Sequence, residues 1–171
     1  VAANIEDALF HYQSSVYCNS YNLTLRNVAI NKENNGDCAF HCTKDLTITL
    51  DNVLATNHPF NLFGGGHSND AGGNIVIKGN TGPVNSIYTG VSSWQQGHHV
   101  GGDIDVIIEG GTFTGTVGNN KNQTGNYIDG NVRITITGGT FSSTVAIGST
   151  SENSAVKKNA VLTILGGDIT N

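Results

Sequence analysis

The sequence predicts an all-β solenoid, in which each turn of the chain adds a rung of short strands to a stack. Two observations support this prediction: a short sequence motif, called a phrase below, that recurs at a fixed period, and an alternation of apolar and polar residues inside each copy. The equivalent positions Ile108, Ile136 and Ile164 of three copies are equally spaced along the chain. A constant period of about 20–50 residues indicates a repeat architecture.

Six copies of the phrase occur, at 22–30, 47–55, 75–82, 105–113, 133–141 and 161–169. Their last apolar residue before a bend is Leu25, Leu50, Ile77, Ile108, Ile136 or Ile164. Alternation within each copy is typical of a half-buried strand. Each phrase is therefore predicted to be one strand, with these aligned residues facing inward.

The residues around the bend test this alignment. Two places after the aligned residue the chain has only Asn or Gly: Asn27, Asn52, Gly79, Gly110, Gly138 and Gly166. Both residue types tolerate left-handed backbone, which we expect at these bends. The position before the bend reads Arg26, Asp51, Lys78 and Glu109 in the first four copies. Because equivalent residues of stacked coils are neighbours, this alternation of sign predicts a ladder of ion pairs.

Strands of this spacing, with Gly-Gly-Thr-Phe bends and no helix between them, resemble the coils of right-handed parallel β-helices of the pectate-lyase-like superfamily, as found in secreted and surface-attached microbial proteins. The resemblance implies about six coils over residues 16–171, each of roughly 25–31 residues. Residues 1–15 are interpreted as an N-terminal cap. Helical spacing of Ile5, Leu9 and Tyr12 favours a short helix there, and a first strand is the alternative.

The same resemblance suggests a polysaccharide lyase or hydrolase, since such enzymes present carboxylates from neighbouring coils, with Ca²⁺ and a basic residue in lyases. The candidates are Asp105, Glu109 and Arg133. Arg133 follows Asp105 by one repeat, so the two should stack on one outward row with Asn74 below. The alternative is a structural salt bridge. Carboxylates are scattered along the chain, and clustered aspartates for Ca²⁺ are missing from the sequence.

Aromatic residues provide candidates for glycan or partner binding. Phe63 and Trp94 are separated by the local repeat length, and Tyr88 is nearby. Stacked rings on adjacent coils can form a carbohydrate platform, or they can be core packing or a subunit contact. The insertion 80–101 contains Trp94, and long solenoid loops usually lie on the binding face.

Histidines are the weak metal candidates. His67 precedes His98 by the local repeat length and His99 is adjacent to it, so the three could approach a borderline metal such as Zn²⁺. All three lie in glycine-rich loops without a recognised ligand spacing. We therefore expect no metal and no cofactor.

Three cysteines are present. Cys18 and Cys42 are separated by close to one coil, so a disulfide between the first two coils is expected, with Cys18–Cys38 as the rival. Either pairing suits an oxidising, extracellular location. Asn22 and Asn122 begin N-glycosylation triplets, and Asn122 is the better candidate because it lies in a loop.

Composition narrows the class of partner. Only 12% of residues are charged and the net charge is −5, which argues against a nucleic-acid partner. An apolar run of about 20 residues, long enough to span a membrane, does not occur.

The sequence ends directly after the last repeat, without a capping helix. Uncapped coils pair with other chains, so we expect a homo-oligomer formed by head-to-tail stacking. The leading hypothesis is an extracellular or cell-surface structural protein that assembles into a filament, sheath or surface layer. The alternatives are a carbohydrate-binding, adhesive segment of a larger surface protein, and a polysaccharide lyase or hydrolase.

Overall fold

All regular secondary structure in the described part of the chain consists of short strands, and no helix occurs among these residues. The structure is a computed structural model that describes residues 2–18, 20–33, 39–65, 72–90, 97–119, 126–148 and 155–170. The strands are β1 (Ala2–Glu6), β2 (Leu9–Tyr12), β3 (Val16–Cys18), β4 (Asn22–Arg26), β5 (Ala29–Lys32), β6 (Ala39–Cys42), β7 (Thr47–Asp51), β8 (Leu54–Ala55), β9 (Phe60–Phe63), β10 (Asn74–Lys78), β11 (Val84–Tyr88), β12 (His99–Val100), β13 (Ile104–Ile108), β14 (Thr112–Phe113), β15 (Val117–Asn119), β16 (Tyr127–Ile128), β17 (Val132–Ile136), β18 (Thr140–Phe141), β19 (Val145–Gly148), β20 (Ala155–Val156), β21 (Ala160–Ile164) and β22 (Asp168–Ile169).

These strands form parallel sheets that run along the stack, so the chain is a parallel β-solenoid, as predicted. The longest sheet has seven strands in the order β1-β4-β7-β10-β13-β17-β21. A second sheet of nine strands runs from β22 through β18, β14, β11, β9 and β6 to β3, with β15 paired to β11 and β19 paired to β15 off this path. The smaller sheets are β2-β5-β8 and β12-β16-β20. Each coil therefore hydrogen-bonds to the coils before and after it.

The predicted register of the long sheet is confirmed. Its Cα partners link Leu25 to Leu50, Leu50 to Ile77, Ile77 to Ile108, Ile108 to Ile136 and Ile136 to Ile164. Inward residues of this column are fully buried from Leu25 to Ile136. A slip of one residue would turn every apolar side chain outward, so the alternation excludes it, and the aligned bends exclude a slip of two.

The N-terminal helix was a wrong expectation. Residues 4–15 form β1, β2 and the turn between them, and Ile5 is the Cα partner of Leu25. Five in-register pairs with β4 stabilise the strand, so pairing within the stack outweighs the helical spacing of a few apolar residues. The longest sheet consequently has seven strands, which differs from the predicted six coils.

The backbone at the bends follows the prediction only in the early coils. Asn27, Asn52 and Gly79 have positive φ values of 52°, 53° and 59°. In the later coils the positive φ occurs one residue further, at the second glycine of each pair, as at Gly139. The first glycine is required for a different reason: a Cβ on Gly138 would lie 2.6 Å from the Glu109 carbonyl oxygen of the coil before.

Candidate functional site

Asp105 and Arg133, the predicted acid–base candidates, are Cα partners on β13 and β17 and point outward. The Arg133 guanidinium donates from Nε to Asp105 Oδ1 at 2.5 Å and from Nη2 to Asp105 Oδ2 at 2.8 Å. Its Nη1 donates to Asp103 Oδ2 at 3.0 Å. One arginine therefore bridges two carboxylates in a planar, bidentate arrangement.

Two charges of this cluster, those of Asp103 and Arg133, are fixed near neutral pH. Backbone and side-chain hydrogen bonds from Asn131, followed by Arg133, lower the pKa of Asp103 to about 2. The hydrogen bonds that Arg133 donates to Asp105 and then to Asp103 raise the pKa of Arg133 above its ordinary value. A general acid or base must exchange a proton near the working pH, so Asp103 and Arg133 suit a structural ion pair better than proton transfer.

Replacing Asp103 by asparagine should flatten the acid side of the stability profile. The folded pKa of Asp103 lies below its usual value, so its stabilising contribution is complete above about pH 4 and is lost as the pH falls towards about 2. We expect the melting temperature of Asp103→Asn to fall less between those pH values than that of the wild type. Asp45→Asn, at an exposed turn, is the control; equal acid sensitivity of the wild type and Asp103→Asn would contradict the assignment.

A shallow depression of about 480 Å³ adjoins this cluster. It is lined by Thr47, Asn74, Val76, Asp105, Val106, Ile107, Arg133 and Thr135. Asn74, expected below Asp105, does border the same depression. Its floor is the open outer face of a sheet.

Glu109, the third acid–base candidate, belongs to the predicted charge ladder instead. Its Oε2 lies 3.3 Å from Lys78 Nζ. Arg26 Nη1 lies 3.0 Å from Glu6 Oε1, and Arg26 Nε lies 3.4 Å from Asp51 Oδ2. Asp51 and Lys78 are Cα partners, so the signs alternate over five rungs. These exposed pairs contribute at most about 1 kcal/mol each.

The aromatic candidates form a continuous stack rather than an open platform. Rings of Tyr17, His41, Phe63 and Tyr88 follow one another at centroid distances of 4.5, 5.0 and 4.8 Å. Phe63 is 2% exposed and Tyr88 is half-buried. The ring faces of Phe63 contact His41 and Tyr88, which is the core-packing alternative for this residue, and its role in glycan or partner binding stays a prediction. Trp94 lies outside the described residues.

His99, one of the metal candidates, stacks on Tyr127 at a ring distance of 5.3 Å. Its Nε2 is 3.9 Å from Asp129 Oδ2. Lys157 Nζ lies 3.1 Å from Asp129 Oδ1 and 3.5 Å from the Tyr127 ring centroid. The cation beside Asp129 in this cluster is the Lys157 ammonium.

No group of three or more His, Cys, Asp or Glu side chains that could hold a metal ion occurs among the described residues. The main-chain N–H of His98 donates to Asn126 Oδ1 at 2.8 Å. His67 lies outside the described part of the chain.

Cys18 and Cys42 are Cα partners on β3 and β6, so their predicted adjacency is confirmed. Both are free thiols, and the predicted disulfide is not formed in the structure. Burial raises the pKa of Cys18 to about 11, and burial followed by the neighbouring Cys18 raises that of Cys42 to about 12. Cys38, the rival partner, lies outside the described residues.

The two glycosylation candidates differ in what can be said of them. Asn22 is exposed on β4, and its Oδ1 accepts a hydrogen bond from the Thr47 backbone N–H at 2.9 Å. A glycan on Asn22 would therefore compete with a contact between coils. Asn122 lies in a segment that the structure does not describe.

Two features were missed at the sequence level. Lys32 is 2% exposed, and its Nζ donates to the Pro59 carbonyl oxygen at 3.4 Å. His41, which the sequence did not single out, lies between two rings of the aromatic stack. Lys32 follows the alternation of β5, so its inward position could have been read from the sequence had a lysine been considered for the core.

Comparison with known proteins finds no matching family model, no matching curated protein and no matching solved structure. Within the described ranges, no helix has the length and apolar character needed to cross a membrane.

Proposed function

We propose that this protein is a structural subunit that assembles end to end into a filament, sheath or surface layer. The observation that carries the proposal is the exposure of core positions in the last described coil. Ile164 occupies the same inward column as Ile136, yet it is 46% exposed whereas Ile136 is fully buried. Complete burial of such a side chain stabilises a protein by about 1.5–3 kcal/mol.

Neighbouring residues of the same coil extend this apolar end. Leu165 is 74% exposed, Val161 is 46% exposed and Ile169 is 41% exposed. In earlier coils, the positions equivalent to Val161 and Leu165 hold Arg133 and Thr137 on the outer wall. Apolar residues in both the inner and outer rows favour a protein surface, rather than water, as the neighbour of this coil.

The opposite end of the stack has the geometry to supply that neighbour. β1 is also an edge strand of the long sheet, and Ile5 belongs to the column that contains Ile164. Every pairing along this sheet is parallel, so β1 of another copy can extend it beyond β21 without reversing direction. Such a head-to-tail contact is heterologous and generates an open filament.

Charges at the two ends are compatible with this contact. The column before the bend begins with Glu6, which is paired to Arg26, and ends with the uncharged Leu165. Stacking therefore brings no like charges together in this column. We place Ile164 of one copy over Ile5 of the next, which continues the inward column.

The superfamily and the location that we propose rest mainly on the sequence. Gly-Gly-Thr-Phe coils and parallel strand pairing support kinship with the right-handed, pectate-lyase-like β-helices and an extracellular or cell-surface location. An oxidising location is also the one in which a Cys18–Cys42 bridge would persist. Glycan binding and polysaccharide cleavage remain the alternative predictions. The ion-paired Arg133 and the buried Phe63 favour neither.

Sedimentation velocity at micromolar concentration tests the proposal, with Ile164→Asp as the variant. We expect the wild type to form large species and Ile164→Asp to remain monomeric, because a carboxylate at the joint cannot be buried without a partner. Thr163→Asp is the matched control, since Thr163 lies on the same strand but faces outward, and it should assemble. Circular dichroism verifies that both variants keep their strands. A monomeric wild type, or assembly unaffected by Ile164→Asp, would refute the proposal.

A further inference from the structure

The register of β3 and β6 places two thiols side by side inside the solenoid. Cys18 and Cys42 are direct Cα partners, and both lie in the buried core, at 7% and 0% exposure. Neighbouring strands of a sheet are about 4.8 Å apart, which falls within the Cα separation that a disulfide spans. The Cα separation expected from this pairing is therefore compatible with a bond between these residues.

Residues around Cys42 keep its sulfur at this position. The Cys42 thiol donates to the Leu46 carbonyl oxygen at 2.9 Å. On the side of the following coil lies Gly73, where an added Cβ would stand 2.6 Å from Cys42 Sγ. The absence of a side chain at Gly73 leaves the room that the sulfur occupies.

We infer that Cys18 and Cys42 form a dithiol that closes to a disulfide between the first two coils on reaction with a small-molecule disulfide such as oxidised glutathione. The inference does not depend on end-to-end assembly, because both residues lie within one chain. Register favours the Cys18–Cys42 pairing, since it makes Cys42 the direct neighbour of Cys18.

The chemistry is thiol–disulfide exchange in two steps. The Cys18 thiolate attacks one glutathione sulfur, a mixed disulfide forms, and one glutathione thiolate leaves and takes up the proton lost by Cys18. The Cys42 thiolate then attacks Cys18 Sγ, and the second glutathione leaves as a thiol with the proton lost by Cys42. The two protein thiols are oxidised and one glutathione disulfide is reduced to two thiols.

Cys18 is the better first nucleophile, because it is the more exposed of the two and Cys42 is fully buried. Burial keeps both thiolates scarce in the folded protein. Oxidation of the two thiols should therefore be faster during folding than in the folded solenoid. Once formed, the bond is shielded by the same burial from reducing agents.

The test is refolding of the full chain from urea in a glutathione redox buffer, followed by alkylation, intact mass measurement and peptide mapping. We expect a loss of about 2 Da from closure of one disulfide, a cross-linked peptide containing Cys18 and Cys42, and an alkylated Cys38. Relative to the reduced protein, the oxidised form should melt roughly 5–10 °C higher, because the bond restricts the unfolded chain.

Single substitutions identify the pairing. Cys38→Ser should still lose the two mass units, whereas Cys18→Ser and Cys42→Ser should not. A cross-linked peptide that contains Cys38, or three alkylated cysteines in the wild type after oxidation, would overturn the inference. Peptide mapping uses the unaltered chain, so the result stands even if a serine variant folds poorly.

Discussion

Phe113→Ala should lower the free energy of unfolding by about 3–5 kcal/mol, the range found when a buried aromatic ring is truncated. Phe113 is fully buried, and its ring stacks on Phe141 of the next coil at 4.6 Å and 7°. Its removal leaves a cavity between two coils and also removes this ring contact, which contributes about 0.5–1.5 kcal/mol beyond burial. Urea denaturation followed by circular dichroism measures the loss.

The adjacent residue on the same strand provides the control. Thr112 is exposed on β14, so Thr112→Ala should change the free energy of unfolding by less than about 0.5 kcal/mol. Similar losses for the two substitutions would mean that Phe113 does not lie in the core of the stack.

Gly130→Ala should also lower the free energy of unfolding, for a different reason. A Cβ at Gly130 would overlap the carbonyl group of Gly102 in the preceding coil and lie 2.6 Å from Asp103 Oδ1. Relief of this overlap requires the two coils to separate, which weakens the Asn131 N–H bond to Asp103 (2.8 Å) and the Ile104 N–H bond to the Asn131 carbonyl oxygen (2.8 Å). We expect a loss of about 3 kcal/mol, near the upper end for overpacking.

Gly97→Ala is the control, because it tests the effect of backbone conformation on stability without a steric clash. Gly97 has a φ of 75°, and within the described ranges no atom beyond its chain neighbours lies within 4 Å of its Cβ position. Gly97→Ala should therefore cost only the strain of left-handed backbone, roughly 1–2 kcal/mol. If Gly97→Ala were the more destabilising of the two, the close approach of Gly102 to Gly130 would be contradicted.

The strand register of the long sheet was predictable because one face of each strand is apolar. Leu25, Leu50 and Ile136 could be aligned from spacing alone, and the alternating charges of Arg26 and Asp51 supported the alignment independently. Both signals depend only on nearest neighbours in a repeating stack. The register can therefore be predicted from these signals without knowledge of the loops.

The N-terminal strand was less predictable because its stability comes from the next coil. Ile5 and Leu9 have helical spacing, but the chain there pairs with β4 and β5. A local pattern does not contain that information. The same limit applies to the bends, where the positive φ expected at Gly138 occurs at Gly139, and Gly138 is required instead for the close approach of the preceding coil.

The candidate site was the least predictable part. The spacing of Phe63 and Trp94 allowed an accessible carbohydrate platform as well as core packing or a subunit contact. However, β6 and β9 are buried at all four of their positions, so their outer sides are covered as well as their inner sides. Accessibility of an outward residue depends on what lies over the sheet, and strand periodicity carries no information about that covering.

X-ray diffraction from aligned assemblies of the wild-type protein tests end-to-end stacking most directly. If β1 of each copy continues the long sheet beyond β21 of the last, the strands lie across the filament axis. Aligned filaments should then give a meridional reflection at about 4.8 Å, the spacing between neighbouring strands. Assemblies in which this reflection lies on the equator, or the absence of assemblies at micromolar concentration, would contradict the account.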